Sequence, residues 1–234
     1  MTDPASPRPA ESAAARKRSR RQAGGVRSPR NVDGPQHDES FAAPSAPKRS
    51  VELLLRMAIH EAGHAVTRLY LGLGVIEQIT LDVPEGGGIT WRIERHDDST
   101  EERLTAELVA TLAGRAAEEV VLGNVAAHCG GQPYSDLALA TDLAFRMETT
   151  LGFGQKWPLL YRSAADRSLL LAQDPDLADM VHARLESAHD AARAIVANQK
   201  EAIEFLAAHL LNHGTFDGPR LTRILEKVRE RMQQ

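Results

Sequence analysis

The 234-residue chain has a single cysteine, Cys129. That excludes an intramolecular disulfide and any zinc site built from several thiolates, so a metal bound here would be held by histidine and carboxylate. Nothing in the cysteine usage points to an oxidising compartment. Aromatic residues are scarce at 4%, and the abundance of alanine and leucine beside them favours helix. No run approaches the roughly 20 apolar residues that a bilayer span requires. The N-terminus is basic but has no apolar stretch behind it, unlike a secretory signal. The expectation is a cytoplasmic, soluble protein.

Residues 1–48 nearly lack large apolar side chains, Phe41 being the main exception, and are rich in Pro, Ala, Ser, Arg and Gly. Such a segment cannot bury enough surface to offset its ordering entropy, so a disordered basic tail is expected over 1–48 and a folded domain over 49–234. The net charge of -4 conceals an asymmetry, with +5 on residues 1–50 and -9 on the remainder. The densest basic stretch, Arg16-Lys17-Arg18-Ser19-Arg20-Arg21, reads first as a solvated tail. Contact with nucleic acid or another acidic surface is only weakly suggested, because no aromatic residues interleave the charges.

From Ser50 onward apolar residues recur at helical spacing: Val51, Leu54, Leu55, Ala58, Ile59, Ala62, Ala65, Val66 and Leu69. This predicts a helix over about residues 51–71, stopped by Gly72 and Gly74. Val75–Leu81 and Ile89–Ile93 read as a strand pair, with Pro84 and Gly86-Gly87-Gly88 as the turn. A helix capped at Ser99 or Thr100 follows, breaking near Gly114 or running on to Gly123. Ser135 caps the next helix. A long helix is expected from about 176 to 212, and a last one over Leu221–Met232. The fold class is mainly α, with a small β-hairpin or sheet.

Within the first helix lies His60-Glu61-Ala62-Gly63-His64. Positions i and i+4 share a helix face, so both imidazoles can address one metal ion while Glu61 sits on the adjoining face. Two histidine ligands, a third ligand elsewhere and a glutamate general base make up the zincin device. Two ordinary surface histidines are the plainer alternative, but the motif sits in an apolar-periodic helix and its spacers are small. The third ligand stays open on spacing alone. Thr67 and Tyr70 stand where a metzincin needs Gly and His, and Glu85, His96, Asp97, Asp98, His128 and Asp136 are all candidates.

Four further segments occur in order: Gly114-Arg115-Ala116-Ala117-Glu118-Glu119, then Ser135-Asp136-Leu137 through Ala140-Thr141, Gly152-Phe153 and Leu159-Leu160-Tyr161. With the histidine motif they make residues 52–232 resemble the peptidase domain of the FtsH-type, AAA-associated zinc metalloproteases. The resemblance implies a helical zincin-like domain, Zn2+ as cofactor, and His60, His64 and Asp136 as metal ligands, with Glu61 as general base. It implies that one of Glu118 and Glu119 supports a ligand histidine, without saying which. It also places Ile89-Thr90-Trp91 on an edge strand beside the cleft, where an extended polypeptide can add by main-chain hydrogen bonds. Trp91 as simple packing is the alternative. Asp142 reads as a surface charge, and His128 and Cys129 as an unliganded loop pair.

The sequence departs from that family in having Ser135 where the family has asparagine. It contains no G-x-x-x-x-G-K-[ST], so ATP binding through a P-loop is not expected. The expected function is a zinc metalloendopeptidase acting on unfolded or flexible polypeptides without its own ATPase motor. By resemblance it is a homo-oligomer, a hexamer; it is expected to cut peptides and flexible chains unaided or, alternatively, with a separate AAA ATPase docked on it. The alternative is a non-proteolytic subunit associated with a full-length AAA protease, which would commonly have lost one of the four site residues.

Overall fold

The computed structural model describes residues 49–83, 86–92, 99–163 and 166–232. In chain order these form α1 (Val51–Leu71), β1 (Val75–Val83), β2 (Gly86–Arg92), α2 (Glu101–Ala117), α3 (Asp136–Thr149), α4 (Arg167–Gln173), α5 (Pro175–Asn198), α6 (Lys200–His213), β3 (Thr215–Asp217) and α7 (Gly218–Arg229). The fold is mainly helical, with one small antiparallel sheet in the order β2-β1-β3. No described helix is long and apolar enough to cross a membrane. The expected tail, residues 1–48, lies outside the described residues.

Helix α1 begins and ends where its terminal residues dictate. The Ser50 hydroxyl accepts the Leu53 N–H at 3.2 Å, which satisfies one of the unpaired donors of the first turn. Gly72 closes the helix at φ 65°, a left-handed conformation that costs glycine little. The inner face of α1 carries Met57, Ala58, Ile59, Ala62, Ala65 and Val66, all buried. It packs against α2, α6 and the sheet, while α2 is backed by α3 and α5.

Small residues set the distance between α1 and α2. A Cβ built on Gly63 would lie 2.5 Å from the Ala117 Cβ and 2.8 Å from the Ala113 carbonyl oxygen. Neither contact is sterically possible, so glycine is what permits this crossing. Helix α2 runs through Gly114 without a break. It then widens into one π turn over Glu118–Leu122 and stops at Gly123, φ 75°. Such a turn inside a helix re-aims its side chains and recurs at functional sites.

The structure corrects two expectations and adds one strand. The glycines 86–88 are strand, not turn: Gly88 pairs with Thr80 and Gly86 with Val83. Pro84 and Glu85 lie outside the described residues. The helix expected over 176–212 is two helices, α5 and α6, separated at Gln199, whose φ of -102° and ψ of 15° leave the helical region. Neither glycine nor proline marks this break. It lets α5 face α2 while α6 faces α1, so tertiary packing overrides propensity. Finally, Thr215-Phe216-Asp217 forms a third strand on β1, too short for alternation to reveal.

Candidate metal centre

His60 and His64 project from one face of α1, with ring centroids 4.7 Å apart. Asp136 reaches them from the first turn of α3. The start of that helix is set by Ser135, whose hydroxyl accepts the Ala138 N–H. Asp136 Oδ2 lies 2.9 Å from His60 Nε2 and 3.1 Å from His64 Nε2. The two Nε2 atoms are 3.1 Å apart. Gly114 on α2 makes room for them, since a Cβ there would fall 2.4 Å from His64 Nε2 and 2.6 Å from His60 Nε2.

Each imidazole is held from behind. His60 Nδ1 is 2.9 Å from Glu118 Oε1, and His64 Nδ1 is 2.8 Å from the Ala110 carbonyl oxygen. A carboxylate and a carbonyl can only accept, so each Nδ1 donates, and in its neutral form each ring turns its Nε2 lone pair towards the other and towards Asp136. Three acceptor atoms thus converge on one point. They repel one another unless a cation joins them, and their separations sit just inside the roughly 3.3 Å edge of a tetrahedron with metal–ligand bonds near 2.0–2.1 Å. The donor set, two imidazoles and a carboxylate with an open side, fits Zn2+.

The protonation equilibria point the same way. Burial works against charge on both histidines. It is the largest single effect on each, but Asp136, Cys129, Glu118 and Glu61 together overcome it at His60, which is raised well above its ordinary pKa, and Asp136 with Glu61 overcomes it at His64, which is raised too. Burial likewise opposes ionisation of Asp136, but His64 and His60 hold its carboxyl far below the usual carboxylate range. A pocket that draws in protons this way draws in metal cations for the same electrostatic reason.

Glu61 is buried at the edge of this cluster. Burial raises its pKa more than His64 and His60 lower it, so it is a stronger base than a free glutamate. Strand β2 passes directly over it, and a Cβ on Gly87 would lie 2.4 Å from Glu61 Oε1. A cleft of about 980 Å3 opens here, with Glu61, Arg68, Gly87, Trp91, Tyr134 and Asp136 among its lining. Trp91 is 42% exposed. It packs against Arg68, whose guanidinium carbon lies 3.9 Å from the ring centroid, and it also forms part of the cleft wall. Among the described residues β2 pairs with β1 alone, so its other edge is open.

The structure separates Glu118 from Glu119. Glu118 is fully buried and bonds His60, whereas Glu119 turns outward, 3.4 Å from His189 Nε2. Glu118 also accepts from Arg56, at 2.7 Å, and from the Ala126 N–H. Burial alone would raise its pKa, but His60, Arg56, Ala126 and Cys129 bring it down to about 2. Asp142 is far from the cluster in function, pairing with Arg167 on the surface. Glu85, His96, Asp97 and Asp98 lie outside the described residues, as does the side chain of His128. Sequence reasoning missed Ala110, Arg56 and Gly87. A backbone carbonyl carries no residue signature, and the other two matter only through residues distant in the chain.

A helical domain with an H-E-x-x-H helix, an aspartate from a second helix and an edge strand across the cleft has the layout of a zincin-like metallopeptidase domain. Comparison with known proteins narrows the class. Residues 51–224 match Peptidase family M41, and the chain belongs to that family. It is 33% identical over 192 residues to the ATP-dependent zinc metalloprotease FTSH 2, chloroplastic, of Arabidopsis thaliana, covering 74% of this chain and 27% of that protein. It is 35% identical over 187 residues to the ATP-dependent zinc metalloprotease FtsH of Neorickettsia risticii, covering 76% and 29%. It is 34% identical over 179 residues to ATP-dependent zinc metalloprotease FtsH 1 of Symbiobacterium thermophilum, covering 74% and 29%. The chain thus spans under a third of the length of these curated relatives.

Proposed function

We propose that this chain is a zinc metalloendopeptidase that cleaves unfolded or flexible polypeptides. His60, His64 and Asp136 are assigned as the metal ligands and Glu61 as the general base. The observation that carries this reading is the convergence of His60 Nε2, His64 Nε2 and Asp136 Oδ2 within 3.1 Å, with both Nδ1 atoms already committed elsewhere. Zinc held there supplies Lewis acidity, which favours deprotonation of water near neutral pH and polarises a peptide carbonyl. Glu61 takes the proton from the attacking water and delivers it to the departing amine. Its raised pKa suits both halves of that transfer. The open edge of β2 receives the substrate as an added strand. Recognition then rests on main-chain hydrogen bonds, which gives weak sequence selectivity.

The names of the relatives include ATP dependence, and no P-loop occurs among these 234 residues. We therefore assign unfolding and feeding of substrate to an AAA ATPase encoded outside them, acting on a homo-oligomeric, hexameric peptidase ring.

The test is cleavage of unfolded casein by the purified protein with and without a chelator. Glu61→Gln should retain zinc and the fold while lowering turnover roughly 10²–10⁴-fold. Cleavage that persists in this variant, or in the presence of the chelator, would sink the proposal.

A further inference from the structure

Glu118 does more than orient His60. Its Oε1 accepts from His60 Nδ1 at 2.9 Å and from the Cys129 thiol at 3.1 Å. Its Oε2 accepts from Arg56 at 2.7 Å and from the Ala126 N–H at 2.9 Å. Two of these donors, Ala126 and Cys129, belong to the segment that leads into α3, and the first residue of α3 is Asp136. One buried carboxylate therefore fixes the ring of His60 and anchors the segment that presents Asp136. Cys129 is 1% exposed, on a single 3-10 turn, Ala127–Cys129.

His60 Nδ1, Glu118 and Cys129 also lie close enough together to suggest a second metal position. The Arg56 guanidinium on the same carboxylate argues against it, because a cation placed there would face an adjacent buried positive charge. Hydrogen bonding accounts for the cluster instead. A thiol is a weak donor. Its donor helps to hold Oε1 in place beside the imidazole, whose basicity as a ligand depends on that bond.

We propose that Cys129 is a positioning residue of the metal centre: through Glu118 it sets the His60 ring and the approach of Asp136, and so tunes metal affinity. This rests on the zinc reading above.

The test needs no substrate. Zinc affinity is measured by chelator competition on the full chain as wild type, Cys129→Val and Cys129→Ser. Cys129→Val, which keeps bulk but removes the donor, should raise the zinc dissociation constant about 3–10-fold, less than the roughly 10–100-fold that follows loss of a direct partner of a ligand histidine. Cys129→Ser, which restores a donor, should return it to within about twofold of wild type. With Co2+ in place of zinc, the d–d spectrum should change in the valine variant and recover in the serine variant. If Cys129→Val does not fold, Cys129→Ala carries the same comparison.

Wild-type affinity in the valine variant, or equal loss in valine and serine, would overturn the inference. So would an intense thiolate-to-cobalt charge-transfer band, which would make Cys129 a ligand. If the wild-type chain itself retains no zinc, the zinc reading fails and this inference falls with it. Retention that is indifferent to position 129 removes only the inference.

Discussion

Two parts of the domain are packed on opposite principles. Where α1 crosses α2, the residues in closest approach are small: Gly63 lies against Ala113 and Ala117, and Gly114 lies against the rings of His60 and His64. Around α6 and α7 most buried residues are large, Ile203, Leu206, Leu210, Leu221, Ile224, Leu225 and Val228, with Ala202 and Ala207 among them. The first region also buries His60, Glu61 and Glu118. It contributes little apolar area per residue, but brings two backbones close enough for the imidazoles of one helix to lie against a glycine of the other. The second buries no charged side chain among its described residues and supplies hydrophobic stabilisation of about 1.5–3 kcal/mol for each large side chain. The first region is therefore sensitive to an added atom, the second to a removed one.

The largest effect should come from adding one carbon at the tight crossing. In Gly114→Ala the new methyl group would meet both Nε2 atoms at 2.4–2.6 Å, so the helices or the rings must shift. Overpacking of this kind costs about 1–3 kcal/mol of stability. The effect on metal should exceed it, with zinc retention falling at least about 100-fold, because ligand geometry is lost before the fold is. Metal analysis after dialysis, paired with a thermal melt, separates the two quantities. A variant that holds zinc like the wild type would break the comparison.

The converse change is Leu210→Ala on α6, where the side chain is fully buried. It should cost about 2–5 kcal/mol in denaturant unfolding. At a temperature where the variant is folded, its zinc affinity should stay within about twofold of wild type, since distant sites are nearly independent. A large loss of zinc affinity there would show that the two regions are coupled.

Glu118→Gln sharpens the contrast inside the first region. It keeps size and removes charge. His60 and Arg56 then face a neutral amide in place of a carboxylate. Zinc affinity should fall roughly 10–100-fold in chelator competition, the usual consequence of losing the group behind a ligand histidine. The same change at Glu119, which faces His189 rather than a ligand, should leave affinity unchanged, and an equal loss at both positions would remove the distinction between them.

Local signals in the sequence were readable wherever the physics is local. The i, i+4 spacing places His60 and His64 on one face, and Ser50 and Ser135 mark two helix starts by their hydroxyls. The break at Gln199 was hard to see, because no glycine or proline marks it and only Asn198 beside it weakly disfavours helix. The choice between Glu118 and Glu119 was equally hidden. Adjacent glutamates have the same chemistry, and only the π turn and the depth of the α1–α2 contact send one inward and the other out. The three glycines at 86–88 suggested a turn by propensity, yet they are strand, and Gly87 leaves the space beside Glu61.

By itself, then, the sequence determined the helical class, the face of α1 that carries His60 and His64 and, through its likeness to a known family, the choice of Asp136 as their proposed partner. These depend on periodicity and on short-range spacing, which the chain carries in its own order. The tertiary structure decided which glutamate stands behind His60, which carbonyl stands behind His64, and why Gly63, Gly87 and Gly114 have no side chains. Those are contacts between residues far apart in the chain, where the deciding quantity is a distance between backbones that no local pattern encodes.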